Sequence, residues 1–396
     1  MIRGRGRARS SGLPSRPYGV YVHFPWCTLR CPYCDFAVTT ARPVEGSRYA
    51  RAVVSELGLR APAFGGLRCE TLYVGGGTPS LWNPRDLAPV LGAVRALGLA
   101  PGAEVTIEAN PESADGERAR AWRDAGVNRV SIGVQSFDAA VLAKLGRRHG
   151  PAAAERAIRD VAAVVPNVSV DLIYGARRSS VATARADAER LATLPVMHVS
   201  AYALTLDAEL LAEDVPLARL VRAGRLTLPA EDEVLAQADA LGDALERAGL
   251  RRYEVSNFAR PGFESRHNLL YWNAESYLGV GAGAVGCLRA DGSAIRWSNH
   301  RGLADWFDAV EAGRVPSADE ERLSAPQARN ERLMLGLRTV RGIEAGLLSP
   351  AQLAEARAAV EAGLAVLRDG RLSLTPRGMD VHSALSERLF EPLGAA

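Results

Sequence analysis

Six short runs rich in β-branched and aromatic residues alternate with helical stretches between Tyr18 and about Leu250. The runs cover residues 19–24, 71–75, 104–109, 129–134, 168–173 and 198–203, and Ala-, Arg- and Glu-rich segments separate them. Strands that alternate with helices in this way form β/α units around a parallel sheet. Six units are too few for an eight-fold barrel, so the sequence predicts an α/β fold with a partial barrel or an open, doubly wound sheet.

The rest of the chain divides where the composition changes. Residues 1–16 contain five arginines and no acid, which predicts a disordered basic tail. Residues 17–250 are predicted to form the core barrel. Residues 251–315 are predicted to form an extension, with a strand at 252–259 and then a stretch rich in glycine and aromatic residues. Residues 316–396 have a helical, arginine-rich pattern and predict a smaller, mainly helical C-terminal domain.

Charge and hydropathy argue against two classes of partner. The formal net charge is +3, but it becomes −2 for the 380 residues that follow the tail. The folded body therefore has no excess positive charge for a phosphate backbone, and we expect no nucleic-acid partner. No run of 18 apolar residues occurs, which argues against a membrane-spanning helix. The first residues lack the apolar core of a signal peptide, so we expect a cytoplasmic location.

Three of the five cysteines form a cluster directly after the first predicted strand, at Cys27, Cys31 and Cys34. An odd count without an export signal argues against a disulfide framework. The two isolated cysteines, Cys69 and Cys287, are predicted to be small buried apolar residues. Three thiolates so close in sequence converge on one point, as metal ligation requires. Zinc would need a fourth ligand, which His23 could supply, whereas a four-iron cube on three cysteines leaves one iron open to a chelating ligand.

The spacing C-x3-C-x2-C, with Tyr33 before the last cysteine, resembles the signature of the radical S-adenosylmethionine (radical SAM) superfamily. The resemblance implies a 4Fe-4S cluster on the three cysteines, with S-adenosylmethionine bound to the open iron. It also implies an electron donor to the cluster and cleavage of the sulfonium to a 5′-deoxyadenosyl radical. The superfamily includes many reactions, so this motif alone leaves the reaction open.

Further motifs follow the carboxyl ends of successive predicted strands, where β/α folds bind ligands. They include the segment 75–80, which reads G-G-G-T-P-S, and the segment 108–111, which reads E-A-N-P. Together the motifs resemble the branch of the superfamily that contains oxygen-independent coproporphyrinogen III oxidase, over about residues 21–342. That resemblance implies contacts to S-adenosylmethionine from Tyr21, Tyr33, Gly76, Gly77, Thr78, Glu108, Gln135, Arg147 and Asp171. The last three face a second S-adenosylmethionine in the oxidase, and whether this chain binds a second molecule stays open.

Two features separate the members of this branch. The oxidase has a longer amino-terminal extension and a further cysteine two residues after the cluster, where this chain has Phe36. Residues 267–272 read H-N-L-L-Y-W and resemble the H-N-x-x-Y-W motif of the HemW haem chaperones. An imidazole such as that of His267 is a good axial ligand for haem iron, and Tyr271 and Trp272 offer flat surfaces to a macrocycle. A histidine beside aromatic rings is also often a hydrogen-bonded core residue.

The resemblance therefore implies a haem chaperone that binds haem near His267, Tyr271 and Trp272 and transfers it to an acceptor protein, with a cluster and exchangeable S-adenosylmethionine. The alternative is the oxidative decarboxylation of coproporphyrinogen III, and whether the chain is an enzyme stays open. A third possibility, a zinc-stabilised binding module, predicts no iron. One departure is the segment 176–180, A-R-R-S-S, where relatives have L-P-G-Q-T or similar, and it is expected to add Arg177 and Arg178 at the ligand end of the sheet.

Overall fold

The computed structural model describes residues 15–206, 214–290 and 292–390. The predicted tail lies almost wholly outside them. Six parallel strands alternate with helices, which confirms the predicted α/β fold. The strands are β1 (Pro17–Phe24), β2 (Arg68–Gly76), β3 (Glu104–Ala109), β4 (Arg129–Gln135), β5 (Val168–Tyr174) and β6 (His198–Ala203). The helices on their connections are α1 (Gly46–Arg60), α2 (Pro84–Ala96), α3 (Gly116–Asp124), α4 (Ala139–Lys144), α5 (Pro151–Ala162), α6 (Val181–Ala192), α7 (Pro216–Arg222) and α8 (Glu231–Arg247).

Several helices begin at short polar residues that follow a strand. Asn83, Asp115, Asp138 and Ser180 precede α2, α3, α4 and α6, and each side chain accepts a hydrogen bond from a backbone N–H of the first turn. These bonds satisfy N–H groups that the first turn of a helix leaves without a partner. Each capped helix begins where the chain turns back after a strand. Because the strands are parallel, the loops at their carboxyl ends meet at one edge of the sheet.

Further elements extend the sheet at both ends. They are β7 (Arg251–Glu254), β8 (Asn257–Ala259), α9 (Arg266–Trp272), β9 (Ser276–Val280), β10 (Val285–Ala290), β11 (Ser293–Asn299), α10 (Leu303–Glu311) and β12 (Ser317–Leu323). Strand β9 pairs parallel to β1, and β10, β11 and β12 continue as an antiparallel meander. Among the described residues the sheet has twelve strands, in the order β12-β11-β10-β9-β1-β2-β3-β4-β5-β6-β8-β7. Its two edge strands, β12 and β7, do not pair with each other in this part of the chain, so the barrel is open.

The single strand predicted at 252–259 is wrong, because β7 and β8 form an antiparallel hairpin there. The carboxylate of Glu254, which is fully buried, accepts hydrogen bonds from the backbone N–H of Ser256 at 2.8 Å and from the side chain of Asn257. Arg338 donates to its other oxygen at 2.8 Å. A buried carboxylate with partners on the turn and at the residue that follows α11 (Ala325–Leu337) therefore fixes this hairpin, and the local apolar pattern does not reveal it.

The C-terminal part contains helices around a small sheet of its own. Its elements are α11 (Ala325–Leu337), β13 (Ile343–Glu344), α12 (Pro350–Glu361), β14 (Ala365–Arg368), β15 (Arg371–Leu374), α13 (Pro376–Asp380) and α14 (His382–Arg388). Leu333, Leu337 and Leu372 belong to a separate apolar core. Strand β12 lies within the predicted range of this domain, 316–396, but it pairs with β11 of the large sheet, so we propose that this unit begins after Leu323. No helix in the described ranges combines the length and apolar character needed to span a bilayer.

Candidate functional site

Alternation along the parallel strands directs different side chains to the two faces of the sheet. In β4, Val130, Ile132 and Val134 are fully buried in the main apolar core. The alternate residues face the interior of the barrel, because successive side chains of a strand point to opposite faces. Polar residues and glycines of this kind line a cavity of about 400 Å³, the first cavity, and include Tyr73, Glu108, Ser131, Gly133, Ser169, Asp171, Ser200 and Tyr202.

The three clustered cysteines line the same cavity from the loop that follows β1. Cys27 is buried, Cys31 and Cys34 are half-buried, and all three are free thiols. Thr78 donates a hydrogen bond to the sulfur of Cys27 at 3.5 Å, and Arg147 donates to that of Cys31 at 3.6 Å. Burial raises the pKa of the Cys27 thiol to about 11. The thiolate form therefore needs a bound cation to offset its desolvation.

The arrangement favours a cluster over a single zinc ion. In the ranges that the structure describes, no group of three His, Cys, Asp or Glu residues could hold one metal ion. The ring of His23, the possible fourth zinc ligand, has Nδ1 2.9 Å from the Tyr21 hydroxyl and Nε2 2.8 Å from the Ala37 carbonyl oxygen. Both of its nitrogens are therefore engaged away from the cysteines. Three free thiols around one cavity fit a 4Fe-4S cluster, in which separate irons take separate cysteines.

The glycines at the end of β2 bring this strand close to the cysteine loop. A Cβ at Gly77 would lie 2.8 Å from the carbonyl oxygen of Trp26, and a Cβ at Gly76 would lie 2.6 Å from the ring of His23. Gly76 also has a φ of +113°, which residues with a side chain rarely adopt. The neighbouring Thr78 N–H donates to the Trp26 carbonyl oxygen at 2.9 Å. Gly77 is thus required for the approach of the cysteine-loop backbone and Gly76 for the packing of the His23 ring, whatever ligand they also contact.

Two half-buried carboxylates face the first cavity. Glu108 accepts hydrogen bonds from the Tyr73 hydroxyl at 2.7 Å and from the Gly76 N–H at 2.9 Å, and burial raises its pKa to about 7. Asp171 accepts a hydrogen bond from Ser131 at 3.2 Å, and burial raises its pKa to about 6. A ligand that donates hydrogen bonds or carries positive charge would therefore stabilise the charged form of both carboxylates.

Arg147 reaches the wall of the same cavity from the far end of the β4–α5 connection. Its NH2 group donates to the side-chain oxygen of Asn110 at 2.6 Å and to the Gly133 carbonyl oxygen at 2.8 Å. Its Nε is buried and has no hydrogen-bond partner among the described residues. Gln135 has a φ of +70°, in the left-handed region, which is strained for a residue with a side chain. The free guanidinium donor suits an anionic group of a ligand, such as a carboxylate.

The structure divides the predicted site residues between two cavities. Those that line the first cavity are Cys27, Cys31, Tyr33, Cys34, Gly76, Gly77, Thr78, Glu108, Gln135, Arg147 and Asp171. Tyr21 instead lines a second cavity of about 640 Å³, together with Tyr271 and Trp272 of the H-N-x-x-Y-W motif. Phe36 lines both cavities. The two sets of residues are therefore neighbours, while the role of each residue remains a prediction.

His267 is not among the residues that line either cavity, and its side chain is buried in α9. Its Nδ1 lies 2.7 Å from the hydroxyl oxygen of Thr71, and its Nε2 lies 2.7 Å from that of Tyr271. Its ring stacks on Tyr73 with centroids 5.1 Å apart, and burial lowers its pKa to about 3. Neither nitrogen is free to bind iron in this conformation. His267 therefore has the contacts of a hydrogen-bonded core residue, the alternative to an iron ligand. The next residue, Asn268, lines the first cavity.

Sequence reasoning missed the charged residues of the second cavity. Its cations are Arg289, Arg296 and Arg301. Arg289 and Cys287 are two residues apart in β10, so they lie on the same face of this strand. The sequence alone does not show that this face borders a cavity, because that depends on which strands are neighbours. By contrast, Arg177 and Arg178, expected at the ligand end of the sheet, are exposed and line neither cavity.

Comparison with known proteins identifies the family. The family model of the radical SAM superfamily matches residues 21–191, and that of the HemN C-terminal domain matches residues 323–381. The heme chaperone HemW of Mycobacterium tuberculosis is 40% identical over 384 residues, which cover 96% of this chain and 96% of the relative. The chain belongs to the HemW family. The HemW protein of Escherichia coli is 36% identical over 296 residues, 72% of this chain and 74% of the relative.

The likeness extends to a mammalian protein and to a solved structure. The mouse radical S-adenosyl methionine domain-containing protein 1, mitochondrial, is 37% identical over 351 residues, 86% of this chain and 78% of the relative. The structure of the Escherichia coli coproporphyrinogen III oxidase HemN has a TM-score of 0.79, with 19% identity over 97% of this chain and 92% of that chain. HemW-family and HemN proteins therefore share this fold, and membership of the radical SAM superfamily implies a 4Fe-4S cluster and S-adenosylmethionine.

Proposed function

We propose that this protein is a haem chaperone, which binds haem in the second cavity and transfers it to an acceptor protein. The second cavity is the observation that carries the proposal. It has a volume of about 640 Å³ and is lined by the rings of Tyr21, Tyr271 and Trp272 and by three arginines. Aromatic rings with a polar edge suit a macrocycle, and guanidinium groups suit its propionates. The names of the HemW relatives support the same function.

The first cavity supports the cofactor part of the proposal. Cys27, Cys31 and Cys34 would hold the 4Fe-4S cluster, and S-adenosylmethionine would bind exchangeably beside it. Bound there, the cluster supplies electrons, which an external donor must replace. Glu108 would accept hydrogen bonds from ribose hydroxyls, and the free Nε–H of Arg147 would face the carboxylate. We propose that this chemistry takes place in the cytoplasm, with an acceptor protein that is still to be identified.

We assign His267 a positioning role within this function. Its Nε2 lies 2.7 Å from the hydroxyl oxygen of Tyr271, and this contact fixes the Tyr271 ring at the wall of the second cavity. The indole Nε1 of Trp272 is buried and has no hydrogen-bond partner among the described residues. The Arg338 guanidinium lies 4.4 Å from the Trp272 ring centroid, and this contact also orients the indole. Tyr271 and Trp272 would thus offer the macrocycle surface, while His267 holds one of them in place.

An anaerobic titration of the iron-reconstituted protein with haemin, followed at the Soret band, tests the proposal. Saturable binding near one haem per chain is the expected result. Trp272→Leu should weaken binding, because it removes an aromatic surface from the second cavity. Tyr202→Leu is the matched control, since Tyr202 is a partly exposed aromatic residue of the first cavity, and it should leave the affinity for haemin unchanged. Weaker binding by Tyr202→Leu with unchanged binding by Trp272→Leu would indicate that haem binds in the first cavity instead.

Two assays on the same cluster-reconstituted protein distinguish the chaperone from the alternative enzyme. Protein that carries a full cluster but shows no saturable haemin binding would contradict the chaperone. Anaerobic incubation with coproporphyrinogen III, S-adenosylmethionine and a reductant would then test oxidative decarboxylation. We expect no decarboxylation, because Phe36 stands where the oxidase has a cysteine. Its side chain is 61% exposed and has no thiol that could transfer a hydrogen atom or a proton.

A further inference from the structure

Two arginines of the second cavity share one carboxylate from another part of the chain. Arg289 lies in β10 and Arg296 in β11, and the strand register pairs Arg296 with Cys287, two residues before Arg289. The two guanidinium groups therefore lie on one face of this hairpin. Glu331 of α11 pairs with both: one of its carboxylate oxygens contacts Arg289 and the other contacts Arg296.

This pairing leaves hydrogen-bonding capacity unused. The Arg289 side chain is 9% exposed, and its Nε is buried with no hydrogen-bond partner among the described residues. A guanidinium group has five N–H donors, and a buried donor without an acceptor is energetically costly. Arg296 contacts one further carboxylate, that of Glu321 at 3.0 Å. A carboxylate that enters the cavity can therefore form bonds with Arg289 that the protein alone does not provide.

The surroundings indicate what kind of carboxylate fits. Tyr271 and Trp272 line the same cavity as the arginines. A suitable ligand is thus flat and largely apolar, with carboxylates at one edge. Haem has this form, since its two propionates project from one edge of the macrocycle. Displacement of Glu331 leaves two guanidinium groups, Arg289 and Arg296, to pair with them.

We propose that Arg289 and Arg296 form a propionate-binding subsite, which Glu331 occupies as an internal carboxylate in the haem-free protein. Haem propionates take the place of the Glu331 carboxylate and so break the ion pairs between α11 and the β10–β11 hairpin. The inference rests on the proposed function, because its ligand is haem. It adds the residues that recognise the propionates and an interdomain contact that changes when haem is loaded.

Parallel anaerobic titrations of the cluster-reconstituted protein with haemin and with its dimethyl ester test the subsite. The wild-type protein should prefer haemin by about tenfold or more, because ionised partners form the stronger class of hydrogen bonds. Arg289→Gln and Arg296→Gln should lower the affinity for haemin toward that for the ester and leave the ester unaffected. Arg322→Gln is the matched control: this β12 arginine is 73% exposed and pairs with Glu320 outside the cavity.

Glu331→Gln tests the displacement itself. The amide keeps the size of the side chain but removes the charge that competes with propionates, so this variant should bind haemin more tightly and the ester unchanged. Weaker haemin binding by Glu331→Gln would overturn the displacement, and equal wild-type affinities for haemin and ester would overturn the subsite. The latter comparison needs no variant, so it stands even where a substitution impairs folding. Failure of both compounds to bind would contradict the chaperone function instead, and the two failures are thus distinguishable.

Discussion

Replacement of His267 by alanine tests whether this imidazole is a structural residue or an iron ligand. The side chain is 1% exposed and is hydrogen-bonded at both nitrogens. Loss of a buried side chain of this size costs about 2–5 kcal/mol through the cavity it leaves. The buried hydroxyl of Thr71 would also lose its partner, at about 1–3 kcal/mol. Because the two costs overlap, we expect the free energy of unfolding to fall by about 4 kcal/mol.

Urea unfolding at pH 8, followed by tryptophan fluorescence, measures this loss. His300→Ala is the matched control, because His300 is a partly buried histidine that lines neither cavity, and it should cost less than about 1 kcal/mol. Haem-loaded His267→Ala protein should keep the Soret maximum of the wild type. A loss below about 1 kcal/mol, together with a changed ligation spectrum, would refute the structural role.

The burial of His267 also predicts how the loss varies with pH. The pKa of this residue is lowered to about 3 in the folded protein, whereas an unfolded histidine titrates near 6.5. Between these values the unfolded chain binds a proton that the folded chain does not, so stability is lost as the pH falls from 6.5 toward 3. At pH 5 the loss from this residue is about 2 kcal/mol. The difference between wild type and His267→Ala should therefore shrink by that amount between pH 8 and pH 5, and a difference independent of pH would refute a buried neutral imidazole.

Three further predictions concern the first cavity. Cys31→Ala should abolish cluster assembly, and full retention of iron and sulfide in this variant would contradict the cluster assignment. Gly76→Ala should lower the free energy of unfolding by about 2 kcal/mol more than Gly98→Ala in urea titrations, because both glycines have a positive φ but only Gly76 has a ring, that of His23, where the Cβ would lie. The affinity for S-adenosylmethionine, measured by calorimetry, should rise as the pH increases through about 7, because the Glu108 carboxyl group ionises there and becomes a better acceptor. Glu108→Gln should remove this pH dependence, and a dependence that persists would exclude Glu108 as its source.

The central fold could be predicted because each of its elements has a local signature. The runs at 104–109 and 198–203 coincide with β3 and β6, since strands buried in a parallel sheet form short apolar segments between turns. The residue type alone predicts burial of the isolated cysteines, and Cys69 and Cys287 are 1% and 0% exposed. The position of the cysteine cluster after the first strand likewise follows from sequence order.

The second cavity could not be predicted, because it depends on strand pairing between distant segments. Strand β9 lies beside β1 although more than 250 residues separate them, and the pairing places Tyr21 opposite Gly279. The hairpin of β10 and β11 then adds Arg289 and Arg296 to the wall next to Tyr21. Alternation assigns each residue to a face, but it does not determine which strands are neighbours or in which register. The family resemblance implies a contact from Tyr21 to S-adenosylmethionine, and in the structure this residue lines the cavity of the aromatic motif.

The H-N-x-x-Y-W motif lies on one short helix between the two cavities, and its members contact different sides. Asn268 lines the first cavity and Tyr271 lines the second. His267 connects them, because its Nε2 lies 2.7 Å from the Tyr271 hydroxyl oxygen and its ring stacks on Tyr73. Tyr73 in turn donates its hydroxyl hydrogen to Glu108 at 2.7 Å. The carboxylate of the first cavity and the aromatic wall of the second are therefore joined through consecutive direct contacts. We therefore expect His267 to hold the Tyr271 ring relative to Tyr73 without a bond to iron.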